Sequence, residues 1–378
     1  MKATGIICEY NPFHAGHAYL LQRAGGEGIT VCLMSGFFVQ RGEAAILPPT
    51  YRAQMALGAG ADLVLELPFP YAAGSARYFA SAGVRALAAL GCDTLCFGSE
   101  SADKQALLDA AARLLHTPDP AERDQSLGDA AAHFAALDEA PASNDILALE
   151  YTRAILAEGL EMQIAPVLRV GAGYREITLG EGFPSATALR RGVARGEDIS
   201  PLLPAGAAEI WQRALAECGG VADTARLGSA LLARLRTDTQ LARFADCGGG
   251  LAAHLSAAAW AATDYSSLCE RAATKRYTNG RIRRAMLYLL AGVLREDLQA
   301  PPAYLRLLGA TPRGREFLSL QRRGEGIPIV TKQSDIAALG APALRQSELA
   351  QTAAALYALC MPRPTTPAQL LQSPPIIL

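Results

Sequence analysis

Short runs of β-forming apolar residues alternate with segments of helical period through the first half of the chain. That alternation admits few folds other than a parallel sheet wrapped by helices. The clearest runs are Gly5-Ile6-Ile7-Cys8, Ile29-Thr30-Val31-Cys32-Leu33-Met34, Asp62-Leu63-Val64-Leu65-Glu66-Leu67 and Thr94-Leu95-Cys96-Phe97. Residues 16–24, 50–58 and 75–90 read as intervening helices, the last stopped by Gly91. A helix over 144–158 ending at Gly159, a strand over 162–168, and a helix opened by Pro184-Ser185 follow, the serine being a good N-cap. The expected fold class is α/β, a Rossmann-like parallel sheet. After about residue 200 the pattern becomes Ala-, Leu- and Arg-rich with helical period and no clear strand. We therefore expect an α/β domain over 1–200 and a mostly α-helical domain over 201–378. Gly248-Gly249-Gly250 and Pro301-Pro302 mark turns in it, and the Pro-rich tail from 362 is a loose or docked end.

With 378 residues the chain has room for two such units, and 51% hydrophobic against 19% charged residues excludes wholesale disorder. No apolar run approaches the roughly 18 residues of a spanning helix, and the start leads into structured sequence without a cleavage site. A cytoplasmic location without a membrane partner is the expectation. Eight cysteines with no CxxC pair imply reduced thiols.

The segment Glu9-Tyr10-Asn11-Pro12-Phe13-His14-Ala15-Gly16-His17 follows the first strand and opens the first helix, where a parallel α/β sheet binds ligands. Gly16 removes a Cβ where a phosphate would approach the helix N-terminus, whose free N–H groups favour an anion. His14 and His17, three apart, share one face of the first turn, so both can donate to one phosphate. Donors aimed at an attacked phosphorus stabilise the charge that builds there in nucleotidyl transfer. Two other readings compete: metal ligation, although HExxH and an obvious third ligand are missing, and simple packing or capping.

In its strand–loop–helix context the pattern resembles the HxGH nucleotidyltransferase superfamily. Ser185-Ala186-Thr187-Ala188-Leu189-Arg190 is similar to that superfamily's ISSTxxR motif. Two hydroxyls and a guanidinium at one helix start would form a phosphate clamp; the bland alternative is a serine N-cap with a surface arginine. More narrowly, the chain resembles the bacterial tRNA(Met) cytidine acetate ligase family. The resemblance rests on Gly5–His17, Met34-Ser35-Gly36-Phe37-Phe38-Val39-Gln40-Arg41-Gly42-Glu43, Asp62–Pro68, Cys96-Phe97-Gly98-Ser99-Glu100, Ser143–Tyr151, Arg169–Tyr174, Thr274–Thr278 and Arg281–Arg284, in order along the chain. It implies an ATP-dependent ligase that activates acetate as acetyl-adenylate and acetylates N4 of the wobble cytidine of elongator tRNA(Met), without acetyl-CoA.

Carried over residue by residue, the resemblance implies that Ile7, Cys8, Glu9, Tyr10, Asn11, Pro12, Phe13, His14, Ala15, Gly16, His17, Ala18, Tyr19 and Leu20 wrap the ATP. Gly98, Asn144 and Arg169 complete the nucleotide site, and Ser185, Thr187 and Arg190 hold the departing phosphates. His14 and His17 are the catalytic candidates. Gly98 would let adenosine lie against backbone, Asn144 offers an amide donor and acceptor or a plain N-cap, and Arg169 can reach phosphates bidentately. Mg²⁺ is expected to accompany the triphosphate, with no carboxylate cluster to name as its ligands. The chain departs from the family where Arg175 follows Tyr174 in place of the usual histidine, and at Ala15, where polar residues are common.

The whole chain carries 35 basic and 36 acidic residues, a net −1 that argues against a polyanionic partner. Its distribution argues the other way. Residues 271–323 hold twelve Lys and Arg against three acidic residues, leaving the rest of the chain at −10. Lys275, Arg276, Arg281, Arg283 and Arg284 offer forks for RNA phosphates, and Tyr277 a ring for stacking an unpaired base. The plain alternative is a solvated helix face in a chain with only four lysines. Two other functions stay open: a small-molecule adenylyltransferase, which would turn over without tRNA, and a non-catalytic RNA-binding protein on the same fold.

Overall fold

The computed structural model describes residues 1–115, 137, 145–169, 183–321 and 326–378. Asn144, Tyr174, Arg175, Arg322 and Arg323 lie outside the described residues. The strands are β1 (Ala3–Cys8), β2 (Ile29–Ser35), β3 (Phe38–Val39), β4 (Glu43–Ala44), β5 (Leu63–Leu67), β6 (Thr94–Ser99), β7 (Gln163–Leu168), β8 (Leu305–Ala310), β9 (Ile329–Val330) and β10 (Ile376–Ile377). The main sheet runs β10-β8-β5-β2-β1-β6-β7, with β9 beside β8. β1, β2, β5, β6 and β7 are parallel, as the alternation of strand and helix requires.

Every residue of β2 and β5 is buried, which is why both read as unbroken apolar runs. β1 is buried at every residue but Thr4, and its side chains divide between two covered faces: Ile7 packs with Phe79 and Leu87 on one, while Ile6 and Cys8 pack with Leu21 and Met55 on the other. The helices Ala15–Ala24 and Pro49–Gly58 thus cover one face, and Ala76–Ala89 with Asp145–Ala157 the other. Gly91, at φ +86°, follows the Ala76–Ala89 helix as the sequence implied.

The chain leaves β1 in one direction to β2 and β5, then returns to β6 on the other side of β1. That reversal opens a crevice at the C-terminal ends of β1 and β6, the place where open parallel sheets bind ligands.

Beyond residue 200 the helices Ala205–Cys218, Gly228–Thr237, Leu251–Ala261, Tyr265–Ala272 and Asn279–Ala291 follow one another. The expectation of no strand there does not hold. β8 pairs antiparallel with β5, and β10 docks the Pro-rich tail parallel to β8. Leu305-Arg306-Leu307-Leu308-Gly309-Ala310 has no alternation of its own; its partner is Leu63–Glu66, some 240 residues earlier, and a local pattern cannot show that pairing. Three buried tyrosines also tie the halves together. Tyr71 Oη donates to the Ala300 carbonyl at 2.7 Å, Tyr288 Oη to that of Pro70 at 3.1 Å, and Tyr357 Oη to that of Ala45 at 2.8 Å. Among the described residues no helix is long and apolar enough to cross a membrane, and all eight cysteines are unpaired thiols.

Candidate active site in the crevice

His14 is the N-cap of the Ala15–Ala24 helix, with extended backbone at φ −143°. Its Nδ1 accepts the Gly16 N–H at 3.0 Å, and His17 Nδ1 accepts the His14 N–H at 3.3 Å. The two histidines thereby form a capping box, the role usually taken by Ser and Glu. Their rings stack with centroids 3.7 Å apart. Because each Nδ1 is an acceptor, the proton of each neutral ring resides on Nε2. Both rings line the crevice.

Burial pushes the His14 imidazole down to about 3, helped by the guanidiniums of Arg169 and then Arg190. His17 is likewise held well below the usual range, first by burial, then by His14, Arg169 and Arg190. At neutral pH the pair is uncharged: two Nε2–H donors without the cost of two adjacent cations. Capping is therefore compatible with anion binding, not an alternative to it. The metal reading gains no support, because among the described residues no three His, Cys, Asp or Glu groups converge. Glu9 is the one carboxylate lining the crevice among those residues, and its Oε1 accepts the Gln40 N–H at 2.9 Å. These residues do not build a cage for Mg²⁺.

The crevice has a volume of about 420 Å³. From the loop after β1, the residues Ile7, Cys8, Glu9, Tyr10, His14, Gly16, His17, Tyr19 and Leu20 line it, joined by Gly98, Arg169, Ser185, Thr187 and Arg190. Asn11, Pro12, Phe13, Ala15 and Ala18 are absent from the lining. Asn11 Oδ1 accepts the Ile46 N–H at 2.8 Å, and the buried Phe13 ring packs edge-on against Tyr10 at 4.9 Å. These residues shape the loop from behind.

Gly16 has a reason the sequence did not reveal: a Cβ there would sit 2.9 Å from His14 Cε1, so its absence lets the histidine cap fold back. A Cβ on Gly98 would meet only the Arg169 side chain, Cγ at an ordinary 3.4 Å and Cδ at 3.8 Å, on the wall of the crevice. Arg190 is fixed by donating to the Asn11 carbonyl at 2.7 Å and to Thr187 Oγ1 at 3.2 Å. Ser185 Oγ accepts the Ala188 N–H at 3.2 Å, so the serine is the N-cap of the Ala186–Ala194 helix and still has its own proton to donate. Gln40, Arg41, Tyr151 and Phe183 also line the crevice and were not foreseen. Gln40 and Arg41 had a local signal in the Val39–Glu43 motif and Tyr151 in the Ser143–Tyr151 stretch, whereas Phe183 had none.

The whole arrangement has matches among known proteins. The family model described as HIGH Nucleotidyl Transferase matches residues 1–372. The tRNA(Met) cytidine acetate ligase of Syntrophotalea carbinolica is 40% identical over 89% of this chain and 86% of its own length. That of Acetivibrio thermocellus is 34% identical over 96% of each. The chain belongs to the tRNA(Met) cytidine acetate ligase family, within the HIGH nucleotidyl transferases. Crystal structures of Thermotoga maritima TmcAL superpose over the full length of both chains at 30% identity, the apo form with a TM-score of 0.91 and the form bound with alpha-thio ATP with 0.88.

The basic segment is more constrained than its charge count suggested. Lys275 and Arg276 are exposed, and Arg276 donates to the Gly249 carbonyl at 3.1 Å. Arg281 reaches the Gly248 carbonyl at 3.2 Å, Arg284 pairs with Asp246 at 2.8 Å, and Arg283 pairs with Glu43. Arg306 and Arg313 stand apart from these, near Glu66 and Asp62 at opposite ends of β5. Tyr277 is no open stacking platform. It is 6% exposed, its hydroxyl donates to the Gly249 carbonyl at 2.7 Å, and Arg276, Arg281 and His254 close over the ring.

Proposed function

We propose that this chain activates acetate with ATP and transfers the acetyl group to N4 of the wobble cytidine of elongator tRNA(Met), the activity its relatives are named for, in the cytoplasm. In the first step an acetate oxygen attacks the α-phosphorus; the new P–O bond gives acetyl-adenylate as the bond to pyrophosphate breaks. In the second the cytidine N4 amine attacks the acetyl carbon, AMP leaves, and the amine proton passes to solvent. The observation that carries this reading is the histidine pair, whose Nδ1 atoms are both occupied by backbone N–H groups. Two neutral Nε2–H donors remain for phosphate oxygens, beside Arg169 and Arg190. Mg²⁺ would accompany the triphosphate and neutralise part of its charge.

The fixed Arg190 holds the leaving phosphates with Ser185 and Thr187, while Gly98 leaves room for the nucleoside. Lys275, Arg276, Arg281, Arg283 and Arg284 supply a basic edge for tRNA phosphates. The test is to incubate the protein with ATP, labelled acetate and bulk tRNA and to resolve the product by species. Label confined to elongator tRNA(Met) is expected. Turnover of ATP and acetate with no labelled tRNA would overturn the reading in favour of a small-molecule adenylyltransferase.

A further inference from the structure

The segment Phe37–Glu43 carries part of the family resemblance, yet no step of the proposed chemistry uses it. In the fold it is the β3–β4 hairpin, with Phe38 opposite Ala44 and Val39 opposite Glu43 around the three-residue loop Gln40-Arg41-Gly42. Gly42 closes the loop at φ +69°, with its N–H on the Val39 carbonyl at 2.8 Å, as a three-residue hairpin requires.

This hairpin is held from both sides. Toward the crevice, the Gln40 N–H is bound by Glu9 of the nucleotide loop at 2.9 Å. Toward the helical part, Glu43 pairs with Arg283, and Gly42 lies so close to the Asn279–Ala291 helix that a Cβ would come within 2.7 Å of the Arg283 carbonyl carbon and the Arg284 nitrogen. Between these anchors Arg41 lines the crevice while remaining exposed at its rim. Glu9, Arg190, Glu43 and Arg283 all fall within its electrostatic reach.

Resting on the function proposed above, we infer that Arg41 is a substrate-positioning residue for the second half-reaction, binding a backbone phosphate beside the reactive cytidine as it enters the crevice. Phosphates of ATP are the other anions in reach. His14, His17, Arg169 and Arg190 already serve the interior, whereas Arg41 stands on the loop that joins the crevice to Arg283 and the basic segment. A guanidinium at the rim offers an RNA phosphate a planar two-pronged fork.

The experiment separates the half-reactions. Acetate-dependent ATP–pyrophosphate exchange and acetyl transfer to tRNA at subsaturating tRNA are measured for the wild type, Arg41→Gln and Arg41→Lys. For Arg41→Gln we expect exchange within twofold of wild type, transfer reduced about 10- to 100-fold, and a salt dependence of tRNA binding shallower by about one phosphate contact. Arg41→Lys should recover part of the transfer, since a point charge keeps the attraction and loses the fork. If exchange and transfer fall together, Arg41 serves ATP and the inference is overturned; unchanged transfer overturns it equally. Failure of the wild type itself to label tRNA would instead defeat the reading on which this rests.

Discussion

The crevice and the basic segment both present nitrogen donors to anions, and they are built in opposite ways. In the crevice, His14 and His17 are oriented by backbone N–H groups no more than three residues away. In the basic segment, Arg281, Arg283 and Arg284 are oriented by Gly248, Glu43 and Asp246, between 33 and 240 residues away in sequence. The first arrangement is a property of one turn of helix, so a short motif carries it intact. The second depends on which elements meet, and a charge count over 271–323 carries little of it. Pairing with Glu43 and Asp246 also means that Arg283 and Arg284 contribute less to the field felt by RNA than their formal charges suggest.

The strongest way to break the comparison is His17→Ala. It removes one neutral donor from the crevice and leaves every cation of the basic segment in place. Acetate-dependent pyrophosphate release should fall about 10²- to 10³-fold, the cost of one donor aimed at developing charge, while tRNA affinity stays within about twofold. Filter binding and exchange kinetics on the same preparation measure both. Full activity in His17→Ala would remove the histidine pair from the phosphate site.

What was legible in the sequence divides along the same line. β1, β2, β5, β6 and β7 were readable because each is an apolar run bounded by turns, and the Ser185 N-cap because capping is local. β8 was not, since Leu305–Ala310 acquires its partner only when the chain returns to β5. The identity of the histidines was visible but their tautomers were not; Nε2 bears the proton only because a capping box forms. Gly16 was attributed to an approaching phosphate, whereas the first atom it makes room for belongs to His14. Tyr277 looked like a base platform because aromatic residues among arginines suit RNA. The acceptor that claims its hydroxyl lies on the Gly248–Gly250 turn, outside any local window.

Acid is a second, smaller lever on the crevice. His14 titrates near 3 in the fold and near 6.5 in the unfolded chain, so between those values the unfolded state binds the proton and the native state does not. Stability attributable to this group is therefore full above about pH 6.5 and is lost as pH falls toward 3, by up to about 1.4 kcal/mol per pH unit. His14→Asn keeps a capping residue and removes the titration, so its denaturation midpoint should change less between pH 7 and pH 5 than that of the wild type. Equal acid sensitivity in the two proteins would mean that the pair is not held neutral by burial.

The smallest effect tests the other region. If Tyr277 were displayed to stack a base, Tyr277→Phe would keep the ring and change nothing. In the fold the hydroxyl is a buried donor to the Gly249 carbonyl, and that carbonyl also accepts from Arg276. Removing the hydroxyl therefore loses one hydrogen bond without orphaning its acceptor, and urea denaturation should register about 1 kcal/mol of destabilisation. The KM for tRNA should stay within twofold, because the exposed cations Lys275 and Arg276 remain. Unchanged stability, with KM also unchanged, would mean that the hydroxyl holds nothing in the fold; it would restore the ring as an open base platform and place both regions on the same footing, each presenting its motif residues directly to substrate.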